Sequence, residues 1–157
     1  MSENKNHNAQ RMNIEAVKRI VSTVRTTLGP MGMDKMMVDG GGNVIVTNDG
    51  ATILRELDSA HPAAKMIVEV SKVQETNCYD GTTSSVVIAG QLLSNAETLF
   101  DKGLHPNVVN KGYSKARDMV QEMLPNLTID GERQLQSIAR TAITGKSLET
   151  ADKKVAQ

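Results

Sequence analysis

The sequence is poor in aromatic residues, in cysteine and in net charge, and each shortage removes a class of function. Among 157 residues there is no tryptophan, and the aromatics are Tyr79, Phe100 and Tyr113. That leaves few platforms on which nucleic-acid bases could stack. Lysine plus arginine equals aspartate plus glutamate, 18 each, so no global field draws the chain to nucleic acid or to an anionic membrane. Neither is expected as a partner. The single cysteine, Cys78, excludes an internal disulfide framework, and with no base near it in sequence it reads as a structural or incidental thiol. His7, His61 and His105 lie far apart and share no metal-ligand spacing with it. No apolar run is long enough to span a bilayer, and the polar start is not a signal peptide, so a cytoplasmic protein is expected.

What remains is a chain whose core must be built from Val, Ile, Leu, Ala and nine methionines. Residues 1–11 read as a polar, disordered leader. From Met12 the pattern becomes helical, with Ile14, Val17, Ile20/Val21, Val24 and Leu28 on one face. Gly29-Pro30 stops that helix. Two short apolar runs, Met36-Met37-Val38 and Val44-Ile45-Val46-Thr47, flank an Asp/Gly/Asn cluster and predict a β-hairpin. A short helix over 51–56 follows. Three longer helices are then expected, with inner faces formed by Ala63, Met66/Ile67, Val70 and Val73, by Val86, Val87, Gly90, Leu93 and Phe100, and by Val109, Tyr113, Ala116, Val120 and Leu124. His61-Pro62 and His105-Pro106 open two of them. Asp130 is expected to cap a shorter helix, and Ser147 to start a last one. The fold class is therefore mainly α with one small β-hairpin.

The most distinctive stretch is Asp80-Gly81-Thr82-Thr83-Ser84-Ser85, which leads directly into the second of these three helices. A helix N-terminus presents unpaired backbone N–H groups and the positive end of a dipole, and so favours anions. Gly81 allows close backbone approach, and the hydroxyls add donors. Asp80 would repel a phosphate unless a divalent cation lay between them, and Mg²⁺ favours one or two carboxylates together with phosphate oxygens. Taken alone, the hexapeptide is explained at least as well by an ordinary Asp N-cap. Asp49 in Asn48-Asp49-Gly50 has the same double reading, as turn chemistry or as a carboxylate that orients water or a cation. Gly145-Lys146-Ser147 ends like a Walker A motif, but Arg140 stands where that motif needs glycine and a helix precedes it, so a P-loop is rejected.

Four motifs stand in order: Thr27-Leu28-Gly29-Pro30-Met31-Gly32-Met33-Asp34-Lys35-Met36, Thr47-Asn48-Asp49-Gly50-Ala51-Thr52-Ile53-Leu54, His61-Pro62-Ala63-Ala64-Lys65-Met66 and Asp80-Gly81-Thr82-Thr83-Ser84. Together they resemble the N-terminal part of a group II chaperonin subunit, the family of the archaeal thermosome and the eukaryotic cytosolic chaperonin. Stretch 61–70 leans towards an archaeal subunit. The resemblance implies an ATP-driven folding machine of two stacked rings, with other subunits and unfolded client proteins as partners and with ATP/ADP and Mg²⁺ as cofactors. It implies equatorial, ATP-binding sequence over 12–130 and the start of an intermediate domain over 131–157. By the same analogy Leu28, Gly29, Pro30, Gly32 and Asn48 lie against the nucleotide, and Gly81, Thr82, Thr83 and Ser84 cradle its phosphates. Asp80 becomes the Mg²⁺ ligand, Asp49 one of two acidic groups serving hydrolysis, and Gly145-Lys146 a loop sensing the terminal phosphate.

The resemblance also implies continuation beyond Gln157, through apical and returning equatorial segments that carry the second carboxylate. The chain is thus expected to be a fragment, with weak ATPase activity or none. Alternatives are a nucleotide-binding or purely helical interaction piece without folding activity. One position departs from the family pattern. Tyr79 stands where the family has glycine, so a positive φ there would be strained.

Overall fold

The computed structural model describes residues 2–29, 31–38, 40–57, 59–129 and 131–143. Pro30, Gly145 and Lys146, the Asp130 cap and the helix expected from Ser147 lie outside the described residues. Two compact units divide the chain, Met1–Leu104 and His105–Gln157, and the boundary expected at 130 falls inside the second.

The first unit holds α1 (Ser2–Arg25), β1 (Lys35–Val38), β2 (Val44–Thr47), α2 (Gly50–Glu56), α3 (Pro62–Cys78) and α4 (Thr82–Asp101). α1 differs from expectation at its start. The polar stretch read as a disordered leader is helical from Ser2. No Gly or Pro occurs before Gly29, so nothing in the backbone chemistry interrupts the helix there. Its inner face is as the periodicity predicts, with Ile14, Val17, Val21 and Val24 buried, except that Thr27 rather than Leu28 turns inward at the end.

β1 and β2 pair antiparallel, with Met36 opposite Val46 and Val38 opposite Val44. Those four side chains are exposed, while Met37 on the other face packs against the core. That core joins Val17, Val21 and Val24 of α1, Ile53 and Leu54 of α2, Ile67 of α3 and Val86 of α4. Val24, Ile53 and Val86 are wholly buried, and each such side chain contributes about 1.5–3 kcal/mol relative to exposure.

α1 and α4 run antiparallel. Arg11 pairs with Asp101 and Lys18 with Glu97, while a Cβ on Gly90 would stand 2.6 Å from Val21 Cγ2. Rising numbers on α1 thus meet falling numbers on α4. The end of α1 and the start of α4 therefore share one end of the unit. The glycine at 90 is what lets the two helices approach this closely.

α3 corrects the sequence expectation. Its buried residues are Ala64, Ile67 and Ser71, whereas Met66, Val70 and Val73, expected inside, are exposed. The helix carries two apolar stripes, and the one containing the small residues Ala64 and Ser71 is the one packed.

In the second unit, α5 (Pro106–Met123) and α6 (Leu135–Ile143) are joined through single 3-10 turns at Leu124–Asn126 and Glu132–Gln134. Of the inner face expected for α5, Val109 is buried and Val120 and Leu124 are exposed.

Candidate functional site

The site is built from three turns. The first follows α1. Gly29 takes φ 89°, and Gly32 N–H donates to Gly29 O at 2.9 Å while Met33 N–H returns to Thr26 O at 2.9 Å. A Cβ on Gly32 would lie 2.1 Å from the Thr27 carbonyl oxygen, so only glycine fits this folded-back loop. Leu28 is exposed beside it.

The second turn enters α2. Asp49 is the N-cap, and its Oδ2 accepts from Thr52 N at 2.8 Å and from Thr52 Oγ1 at 2.6 Å. Thr47 Oγ1 in turn accepts from Asp49 N at 3.1 Å. Partial burial pushes the Asp49 carboxyl up. The bonds from Thr52, the Ala51 N–H and the positive charge of Arg55 outweigh that, and its pKa falls below the ordinary 3.8. Asp49 is therefore a carboxylate at neutral pH. The turn-chemistry reading of this residue holds, with Oδ2 taking both bonds from Thr52. Asn48, half-buried, precedes the cap.

The third turn joins α3 to α4. α3 ends on Tyr79, left-handed at φ 58° and ψ 5°, with its N–H donating to Glu75 O at 3.0 Å. Tyr79 is the only non-glycine residue with positive φ among the described residues, so the strain anticipated at this departure from the family pattern is present. Gly81, at φ 73°, is the N-cap of α4 and offers no side-chain cap. Asp80 is not the cap. Its Oδ1 accepts from Gly81 N at 2.6 Å, outside the helix. This overturns the ordinary N-cap alternative and leaves the first-turn N–H groups of α4 without a side-chain acceptor. Thr82 and Thr83 are buried at this start and Ser84 is half-buried.

Two features bring these turns together. A Cβ on Gly50 would lie 2.1 Å from Thr83 Oγ1, so the Asp49 turn sits directly on the hydroxyl motif. The antiparallel run of α1 and α4 places the Gly29–Gly32 loop at that same end. Residues separated widely in sequence thus converge. Among the described residues no three His, Cys, Asp or Glu side chains group to hold a metal unaided. A cation here would rest on Asp80 and on oxygens from its own ligand, which is the usual manner of Mg²⁺. The donor set therefore fits a Mg²⁺–phosphate group. Clefts of about 460 Å³ lie beside Ile20 and Leu57 and beside Val68 and Lys72, and neither is lined by Asp49, Asp80 or the hydroxyls at 82–84.

Sequence reasoning did not single out Gln74, whose Nε2 donates to Asp80 O at 2.8 Å, or Arg55, whose Nη2 bonds both Glu75 carboxylate oxygens at 3.1 and 3.2 Å. Polar residues on a helix flank carry no local sign of such reach.

Comparison with known proteins gives these features a family. The TCP-1/cpn60 chaperonin family matches residues 20–157. A thermosome subunit of Methanopyrus kandleri is 54% identical over 147 residues, which is 91% of this chain and 27% of that protein. The thermosome subunit alpha of Thermoplasma acidophilum is 56% identical over 144 residues, 89% of this chain and 26% of that protein. In structure, a group III chaperonin crystallised in the open state aligns with a TM-score of 0.75 at 39% identity, over 79% of this chain and 25% of the other. The chain spans about a quarter of the length of these relatives. On sequence and on fold it belongs to the TCP-1/cpn60 chaperonin family.

Proposed function

We propose that this chain supplies the phosphate- and magnesium-binding part of an ATP-binding site in a chaperonin subunit that folds proteins. The observation that carries the reading is the seating of Gly50 on Thr83, which sets a carboxylate turn against an uncapped helix N-terminus. The first-turn N–H groups of α4, with Thr82, Thr83 and Ser84, bind the phosphates of ATP or ADP. Asp80 holds the magnesium, and Gly81 keeps the backbone there free of side-chain bulk. When bound, magnesium neutralises and orients the phosphate oxygens. Asp49, ionised and fixed by Thr52, accepts a proton or orients water in the intact ring. Leu28, Gly29, Gly32 and Asn48 line the nucleotide. Partner subunits complete the ring, and unfolded proteins are the clients. No helix among the described residues is long and apolar enough to cross a membrane.

The test is a titration of Mg²⁺-ADP and Mg²⁺-ATP against the chain and against Asp80→Ala, followed by calorimetry. Saturable binding is expected, weakened at least tenfold by the substitution and by chelation of magnesium. Equal binding by the two proteins would remove Asp80 from the site and favour a helical interaction piece without nucleotide.

A further inference from the structure

The turn that carries Asp80 is gripped from outside the motif. Gln74 is half-buried one turn before the end of α3, and its Nε2 donates to the backbone oxygen of Asp80 at 2.8 Å. The same nitrogen lies 3.3 Å from where a Cβ on Gly81 would be, so the amide lies close over that glycine. The gripped carbonyl belongs to the peptide group between Asp80 and Gly81. The N–H of that peptide donates to Asp80 Oδ1 at 2.6 Å. A peptide group is planar, so fixing its oxygen fixes the direction of its N–H. Gln74 thus acts on the Asp80 carboxylate through a rigid plane: amide to carbonyl, across the plane, then N–H to carboxylate. Without that bond the plane lies between Asp80 and left-handed Gly81, one residue after Tyr79, whose left-handed backbone is unfavourable for an L-residue.

We propose that Gln74 is a positioning residue for metal and phosphate binding, orienting Asp80 so that one carboxylate oxygen is held by Gly81 and the other serves the cation. This rests on the nucleotide site proposed above. The neighbouring Glu75 supplies the contrast, because its carboxylate fastens Arg55 of α2 without touching the Asp80 plane.

The experiment uses the whole chain with Gln74→Met, which keeps length and apolar packing but removes the donor, and with Glu75→Gln. Hydrogen exchange at the Gly81 amide is read without nucleotide. The magnesium midpoint for binding a fluorescent ADP analogue is read by titration. Gln74→Met is expected to speed Gly81 exchange and to raise the magnesium midpoint about fivefold, the size of one ordinary hydrogen bond. Its nucleotide-free melting temperature should stay within about 2 °C of the parent chain. Glu75→Gln is expected to leave both the exchange and the midpoint unchanged. Unaltered exchange at Gly81 in Gln74→Met overturns the grip itself. An unaltered magnesium midpoint, or the same shift in Glu75→Gln, overturns the positioning role. Absence of magnesium-dependent binding in the parent chain overturns the site reading, while the exchange result still decides whether Gln74 holds the turn.

Discussion

At the scale of the residue, Tyr79 is the position under most tension. Left-handed backbone costs an L-residue about 1–2 kcal/mol, because Cβ crowds the carbonyl oxygen. The tyrosine ring recovers little of this, since 87% of the residue is exposed. Glycine would take the same φ without that penalty, at the cost of a more flexible unfolded chain. Tyr79→Gly is therefore expected to stabilise the protein by about 0.5–1 kcal/mol, a rise of about 1–4 °C in a thermal melt. A lower melting temperature would show that the ring makes a contribution its exposure does not reveal. Asp49 illustrates the opposite case, a residue whose surroundings favour its charge. Thr52 binds the carboxylate twice, once through its hydroxyl and once through its amide, which overcomes the effect of partial burial.

At the scale of the element, the decisive contact is between the first residue of α2 and the first turn of α4. Gly50→Ala places a methyl group 2.1 Å from Thr83 Oγ1 and about as close to Thr83 Cβ and Cα as packing tolerates, 3.1 and 3.2 Å. The two helix starts must move apart. The expected loss is about 1–3 kcal/mol of stability, measured by denaturant unfolding, together with weakened nucleotide binding. Thr83→Ala in the same chain should restore part of the stability by removing the nearest atom. No recovery would mean that the backbone of α4 is the real obstacle.

Much of this arrangement was legible from the residues alone. The α1 and α4 faces, the hairpin and the short α2 follow from apolar spacing and from the Gly, Asn and Asp that punctuate it. The three motif turns also announce themselves by their glycines. The contact between Gly50 and Thr83 does not, because neither residue carries a mark of its distant neighbour. α3 misled for a different reason. Met66, Val70 and Val73 form the more hydrophobic stripe, yet the helix packs through Ala64, Ile67 and Ser71, where small side chains allow close approach. Ser71 Oγ is left buried without a hydrogen-bond partner, a cost no hydropathy pattern would choose. Tyr79 was marked by its departure from a glycine-bearing pattern, and Gln74 was marked by nothing at all.

At the scale of the whole molecule, the described residues of the candidate site all belong to the first compact unit. A chain ending at Leu104 should accordingly bind Mg²⁺-ADP within about threefold of the full chain, a difference below 1 kcal/mol. A loss of ADP affinity beyond tenfold would show that the second unit supports the site directly. Met66, Val70 and Val73 on α3 and Ile88 and Leu92 on α4 are exposed in this first unit. Apolar stripes of that kind are usual on surfaces that associate.

The antiparallel pairing of α1 with α4 has a consequence for the order in which the chain can fold. α3 and α4 are neighbours in sequence and can meet through the short turn at 79–81, closing a small loop at low entropic cost. α1 emerges first from the ribosome, yet the surface that covers Val21 and Val24 is completed only when residues 86–90 have been made. Val17, Val21 and Val24 must wait uncovered during that interval, which makes α1 the segment most in need of protection during synthesis. Docking of α1 onto the α3–α4 pair is then the step that closes the largest loop. Substitutions at Val21 or Gly90 are expected to slow folding more than they hasten unfolding, a result that would place this docking in the transition state; faster unfolding alone would place it later.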